Sequence, residues 1–225
     1  MKVIVKKYGG TSVSSVTKIK NIAKKVVEDA TDNKVVVVLS AMGKTTDQLV
    51  SLANRCTKNP DMRDYDLLVS SGEQVSISLL SMSIKDLGRD SVAYTGWQAG
   101  IRTNNSHSSA RIVDINANKI KKDLKENKIV IVAGFQGINN GFITTLGRGG
   151  SDTSAVAIAS AIGSELCEIY TDVDGIFTTD PKVVSNAKKL DSITMEEMLE
   201  LAGQGAKVCL LYTSDAADEG LGVDL

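Results

Sequence analysis

The sequence predicts an α/β protein, a three-layer sandwich whose central sheet is mostly parallel. Short β-rich runs alternate with helical patterns along most of the chain. Residues 35–39 are five apolar residues in a row, four of them β-branched, as expected of a strand covered on both faces. Glycine-rich loops follow several of these strands, where ligands of parallel sheets sit.

Taken in order, Lys2-Val3-Ile4-Val5 reads as a buried strand. Apolar residues then recur at helical spacing from Val13 through Val16, Ile19, Ile22, Ala23 and Val26 to Val27, with Thr11 or Ser12 as the cap. After the strand at 35–39 comes a helical run carrying Leu49, Val50, Leu52 and Ala53. A longer one starts near Asp64 and ends at Gly88. Residues 91–94 and 129–132 are strands, the second preceded by a lysine-rich helix at 118–125. Asn139-Asn140-Gly141 is a turn between two extended arms. An alanine-rich helix at 154–162 leads to a strand at 166–170, and 194–202 is the last helix.

Bulk properties narrow the function. The 225 residues are 42% hydrophobic and 24% charged, as in ordinary soluble domains. A net charge of −1 and a pI near 5.9 provide no positive field for nucleic acid or an anionic membrane surface. No signal-peptide pattern or run of about 18 apolar residues is present, so the expected setting is the cytoplasm. Cys56, Cys167 and Cys209 match no zinc or CxxC spacing and read as inert thiols; no metal site is expected from side chains. The single histidine, His107, sits in a polar stretch and reads as a solvated loop residue. The chemistry then falls to Lys, Arg and carboxylates.

Four loops carry that chemistry. In Lys6-Lys7-Tyr8-Gly9-Gly10-Thr11-Ser12, two glycines let backbone N–H groups approach a ligand, and Lys7 adds a full charge beside a helix start, so the loop suits a phosphate. Gly43-Lys44-Thr45 is not a P-loop, because position 38 is Val38 where that motif has glycine. In Gly147-Arg148-Gly149-Gly150-Ser151-Asp152, Asp152 occupies the last glycine of a dinucleotide fingerprint and would repel a pyrophosphate. Arg148 offers a planar guanidinium to a carboxylate, and Asp152 is either a helix cap or a working acid. Asp172 and Asp174 start like a calcium loop, but its closing glutamate is missing.

Together these loops resemble the aspartate kinases of the amino-acid kinase superfamily. The matching stretches are Lys7-Tyr8-Gly9-Gly10-Thr11-Ser12-Val13, Ser71-Gly72-Glu73, Gly134-Phe135-Gln136-Gly137, residues 146–155, Tyr170-Thr171-Asp172-Val173-Asp174-Gly175 and Gly205-Ala206-Lys207-Val208. The resemblance implies an amino-acid-kinase-like fold over 1–208 and phosphoryl transfer from ATP, with Mg²⁺, to the side-chain carboxylate of L-aspartate. That reaction is the first step toward lysine, threonine and methionine. Lys7 would meet the transferring phosphate, with Gly9 and Gly10 as its backbone cradle and Asp152 orienting the lysine. Arg148 and Glu73 would hold the α-carboxylate and α-amino group of aspartate, with Thr46, Phe135 and Ser151 lining the same pocket. Thr171, Asp172 and Phe177 would bind the nucleotide, with Lys182 and Lys207 near its phosphates. Phe177 and Lys182 stand where many members have Tyr and Arg, so stacking and charge survive but the hydroxyl and bidentate geometry do not.

After Val208 the resemblance breaks. Residues 209–225 are expected to be a non-matching tail on an incomplete catalytic domain, without the regulatory ACT domains and homo-oligomeric contacts usual in the family. Two other readings stay open: a neighbouring superfamily kinase acting on another acceptor, and a non-catalytic amino-acid or nucleotide binding module.

Overall fold

The computed structural model describes residues 1–147 and 149–170, together with 186 and 188. Nine strands and six helices alternate over this span: β1 (Lys2–Tyr8), α1 (Val16–Asp29), β2 (Asn33–Leu39), α2 (Thr45–Cys56), α3 (Met62–Val69), α4 (Ser71–Asp86), β3 (Ser91–Tyr94), β4 (Ile101–Thr103), β5 (Ile112–Ile115), α5 (Asn118–Lys125), β6 (Ile129–Ala133), β7 (Gln136–Asn139), β8 (Phe142–Thr145), α6 (Gly150–Ile162) and β9 (Leu166–Tyr170). The last predicted helix, at 194–202, and the tail at 209–225 lie outside the described residues.

The main sheet runs β3-β6-β2-β1-β9 and every pairing in it is parallel, as the unbroken apolar strands require. Alternation along each strand separates two cores. Ile4, Tyr8, Val35, Val37, Leu39, Ile129 and Ile131 pack against α1 and α4. Val5, Val36, Val38, Val130 and Val132 face the other way, against Ile120 and Leu124 of α5, Ala155 and Ile158 of α6, and a second sheet. That sheet, β5-β4-β7-β8, includes the hairpin turned at Asn140 and Gly141, both with positive φ.

Three local readings change. The cap of α1 is Ser15, whose side chain accepts from the N–H of Lys18. Thr11 and Ser12 are consumed by the preceding loop, where the N–H groups of Ser12 and Val13 fold back onto the Gly9 carbonyl. The long helix predicted from Asp64 divides at Ser70, whose carbonyl accepts a hydrogen bond from Gln136 Nε2 at 2.9 Å. By length and composition the run Met62–Asp86 would span a bilayer, yet half of its most apolar stretch is buried inside the protein. Strands β4 and β5 were unforeseen, because three- and four-residue strands with polar alternate positions carry too short a period.

Candidate active site

All five parallel strands end at one edge, and hydrogen bonds stitch together the ends of β1, β2, β6 and β9. The N–H of Gly9 donates to the Tyr170 carbonyl at 3.2 Å, Ser40 to Tyr8 at 3.2 Å, and Gly134 to Leu39 at 3.0 Å. The ends of β1, β2, β6 and β9 therefore lie side by side, with the loops after β1, β2 and β6 at the same edge.

Adjacent lysines on β1 point to opposite faces. Lys6 lies on the α1 side, where Asp29 Oδ2 is 2.5 Å and Glu168 Oε2 3.0 Å from its Nζ. Burial works against its charge, but the hydrogen bonds it donates to Asp29, Tyr170 and Glu168 outweigh burial and raise its pKa. Lys7 faces α6, and its Nζ meets Asp152 Oδ1 at 2.6 Å. Both partners are mostly covered, with side-chain exposures of 8% and 16%. Asp152 is therefore not the cap of α6: the cap position is Gly149, in the left-handed region, and makes no side-chain bond. The carboxylate is spent on Lys7 instead. Its place in the first turn of α6 also suits the positive end of the helix dipole.

The phosphate-type loop is tightly seated. The N–H of Gly43 donates to the Gly10 carbonyl at 2.9 Å, and a Cβ at Gly10 would come within 2.9 Å of the Ala41 carbonyl oxygen. The loop backbone passes close to Lys7 at Gly9, where a Cβ would lie 3.6 Å from the nitrogen. No side chain bulkier than hydrogen separates the lysine from the loop backbone at this point.

Glu73 is the second focus. It is 3% exposed; its Oε1 accepts from the N–H of Ala41 at 3.2 Å, and Oε2 is buried with no hydrogen-bond partner. Burial pushes its carboxyl up to about 7, against a smaller downward pull from backbone N–H groups, its own and that of Ala41. An orphaned carboxylate oxygen is costly unless something positive completes it. Thr46 is partly buried in the first turn of α2, next to Thr45, whose methyl group lies close to Gly72.

The β6–α6 junction places Phe135 and Ser151 at the same edge of the sheet. Phe135 holds φ at +68°, sparsely populated for an aromatic residue, and is pinned on both sides. Its N–H donates to Ser154 Oγ at 3.1 Å and its carbonyl accepts from the N–H of Leu146 at 2.8 Å. A Cβ at Gly134 would collide with Ser151 at 2.8 Å, so the glycine is what lets α6 begin against the end of β6.

Of the predicted site residues, Lys7, Gly9, Gly10, Thr46, Glu73, Phe135, Ser151 and Asp152 all lie at the carboxyl edge. Arg148, Thr171, Asp172, Phe177, Lys182 and Lys207 lie outside the described residues. Cys56 is exposed, and burial, with Asp152 and Glu168 nearby, pushes the partly covered Cys167 up to about 11, consistent with inert thiols. Cys209 lies outside the described residues. His107 needs correction: it is not a free loop side chain, since its Nδ1 lies 2.6 Å from Oδ2 of the fully buried Asp66.

The amino acid kinase family profile matches residues 2–223, nearly the whole chain. The chain belongs to the amino acid kinase family. Within this family it is 57% identical to an aspartokinase of Bacillus sp. (strain MGA3), over 92% of this chain and 51% of that protein. The crystal structure of aspartate kinase from Synechocystis superposes with a TM-score of 0.75 at 45% identity, covering 93% of this chain and 36% of that one. Aspartokinase III of E. coli in complex with aspartate and ADP superposes with a TM-score of 0.83 at 29% identity, covering 97% of this chain and 60% of that one. The chain thus spans about half the length of the curated relatives it matches.

Proposed function

We propose that this chain carries the phosphoryl-transfer domain of an aspartate kinase, moving the γ-phosphate of ATP to the side-chain carboxylate of L-aspartate. The observation that carries the reading is the pairing, at one strand edge, of the Lys7–Asp152 ion pair with the orphaned oxygen of Glu73. The lysine supplies positive charge for an anionic transfer. The unpartnered carboxylate oxygen supplies a counter-charge for an ammonium group. A substrate that is both an anion and an amine suits both. Similarity to proteins named aspartokinase supports the same acceptor.

The reaction fits the groups present. A free aspartate side chain has a pKa of about 3.9 and is already ionised at neutral pH, so the nucleophile needs no general base. What remains is to bring an anion to a phosphate and hold the transition state in line, which is positioning and electrostatics. Lys7 would contact the transferring group, with Asp152 fixing its ammonium and the backbone at Gly9 and Gly10 cradling the phosphates. Glu73 would hold the α-amino group, and Thr46, Phe135, Ser151 and the guanidinium of Arg148 the rest of the amino acid.

Among the described residues no three His, Cys, Asp or Glu side chains cluster to hold a metal ion. Mg²⁺ would be carried chiefly by the nucleotide phosphates, its usual mode, and would neutralise phosphate charge there. The acyl-phosphate product would feed lysine, threonine and methionine formation. The reading is tested by ADP release with Mg-ATP and a panel of acceptors. Stimulation by L-aspartate over L-glutamate, N-acetylglutamate and UMP is expected, and preference for any of the others would overturn it.

A further inference from the structure

A buried carboxylate outside this machinery ties its two halves together. Asp66, on α3, has no exposed surface. It accepts hydrogen bonds from two segments distant in sequence. From the turn after β4, the Ser108 N–H donates to Oδ1 at 3.0 Å and Oδ2 at 3.1 Å, and His107 Nδ1 lies 2.6 Å from Oδ2. From the end of β8, the Thr145 hydroxyl donates to Oδ1.

Asp66 and Thr145 each precede a segment of the proposed amino-acid pocket. Asp66 on α3 precedes Glu73 on α4 by seven residues, across the break at Ser70, and both side chains are buried. Thr145 precedes the 147–150 glycine loop by two residues, and its carbonyl accepts from the N–H of Ala110 at 2.9 Å. Ser108 is held at φ +63°, a conformation a non-glycine residue keeps only when its surroundings enforce it. Its N–H, bonded to both oxygens of Asp66, provides that enforcement.

We propose that Asp66 is a positioning residue, which through Thr145 and the His107–Ser108 turn fixes the spacing between Glu73 and the glycine loop, and thereby the affinity for the amino-acid acceptor. The inference rests on the aspartate-kinase reading for the name of the acceptor, but not for the coupling itself. Gln136, donating to the Ser70 carbonyl, makes a second tie between the same layers and limits how far the halves can separate.

The direct test is Thr145→Val, which keeps the side-chain shape and removes the hydroxyl, beside Thr145→Ser, which keeps the hydroxyl. His107→Ala and His107→Asn form a second pair, the asparagine amide standing in for Nδ1. Valine and alanine should each raise the KM for the amino-acid acceptor about tenfold, leave the KM for ATP within about twofold, and be rescued by serine and asparagine. Equal changes in both KM values, or a lower melting temperature with neither KM altered, would overturn the proposal. Hydrogen exchange on the same variants is independent of the acceptor. Residues 72–74 and 149–151 should lose protection together in Thr145→Val while residues 7–13 keep theirs; unchanged protection would overturn the coupling even if aspartate proves not to be the acceptor. Absence of aspartate turnover in wild type, with the exchange result as expected, would refute the acceptor alone.

Discussion

Lys7 Nζ and Asp152 Oδ1 meet at 2.6 Å across the junction of β1 and α6, with both side chains mostly covered. On the proposed reading, the pair marks which of two neighbouring lysines would do chemistry. Lys7 is expected to stabilise charge on the transferring group, so Lys7→Ala should lower kcat by about two orders of magnitude, comparable to losing one preorganised donor. Asp152→Ala should do nearly as much by freeing the ammonium. The double variant should be little worse than the poorer single one, because the two act as a unit. Additive losses in steady-state kinetics would show that they act separately.

Lys6 supplies the control. It is as buried as Lys7 but faces α1 and is held by Asp29, Glu168 and the Tyr170 hydroxyl. Lys6→Met should leave kcat within about threefold and cost roughly 1–3 kcal/mol of stability, since two partly exposed carboxylates lose their partner. A collapse of kcat with an unchanged denaturant midpoint would place Lys6 in the machinery and contradict the strand alternation.

Glu73 makes a pH prediction. Its carboxyl titrates near 7 in the folded chain against 4.5 unfolded, so between these values the folded state holds a proton the unfolded state has released. Its contribution is fully present below about pH 4.5 and is lost as pH rises through 7, a swing on the order of 3 kcal/mol. Glu73→Gln should therefore stabilise the protein at pH 8 by about 1–3 kcal/mol while abolishing amino-acid binding. The same shift requires amino-acid binding to release a proton near pH 6, readable by calorimetry in buffers of different ionisation enthalpy. Heats that do not depend on the buffer would sink this account of Glu73.

Gly10 tests the seating of the phosphate loop. A methyl group there would press on the backbone carbonyls of Ala41 and Gly43, at 2.9 and 3.1 Å, neither of which is a flexible side-chain end. Gly10→Ala should cost about 1–3 kcal/mol and raise the KM for ATP. Wild-type melting and ATP kinetics would mean the two loops are not in register as described.

Much of this was readable in the sequence because its signals are local and periodic. Valine runs marked the parallel strands, and the glycines beside Lys7 marked a closely seated loop. What escaped depends on contacts between distant segments. Asp66 stands seven residues before Glu73, which shares the buried stripe of α4 with Leu80 and Ile84. A carboxylate at a buried helix position such as that of Asp66 is itself a signal that a partner is brought to it. The partners, His107 and Thr145, lie 41 and 79 residues away, and no local pattern names them. The α1 cap failed for a related reason: Thr11 and Ser12 have cap chemistry, but the loop needs them for its own turn.

The central claim is that this site transfers phosphate to a carboxylate of aspartate, and the product's chemistry tests it most directly. Purified chain is incubated with Mg-ATP and L-aspartate in hydroxylamine, which converts an acyl phosphate to a hydroxamate. The account predicts aspartate hydroxamate in step with ADP release, and neither from Lys7→Ala. ADP release without hydroxamate, or hydroxamate formed equally well by Lys7→Ala, would contradict it.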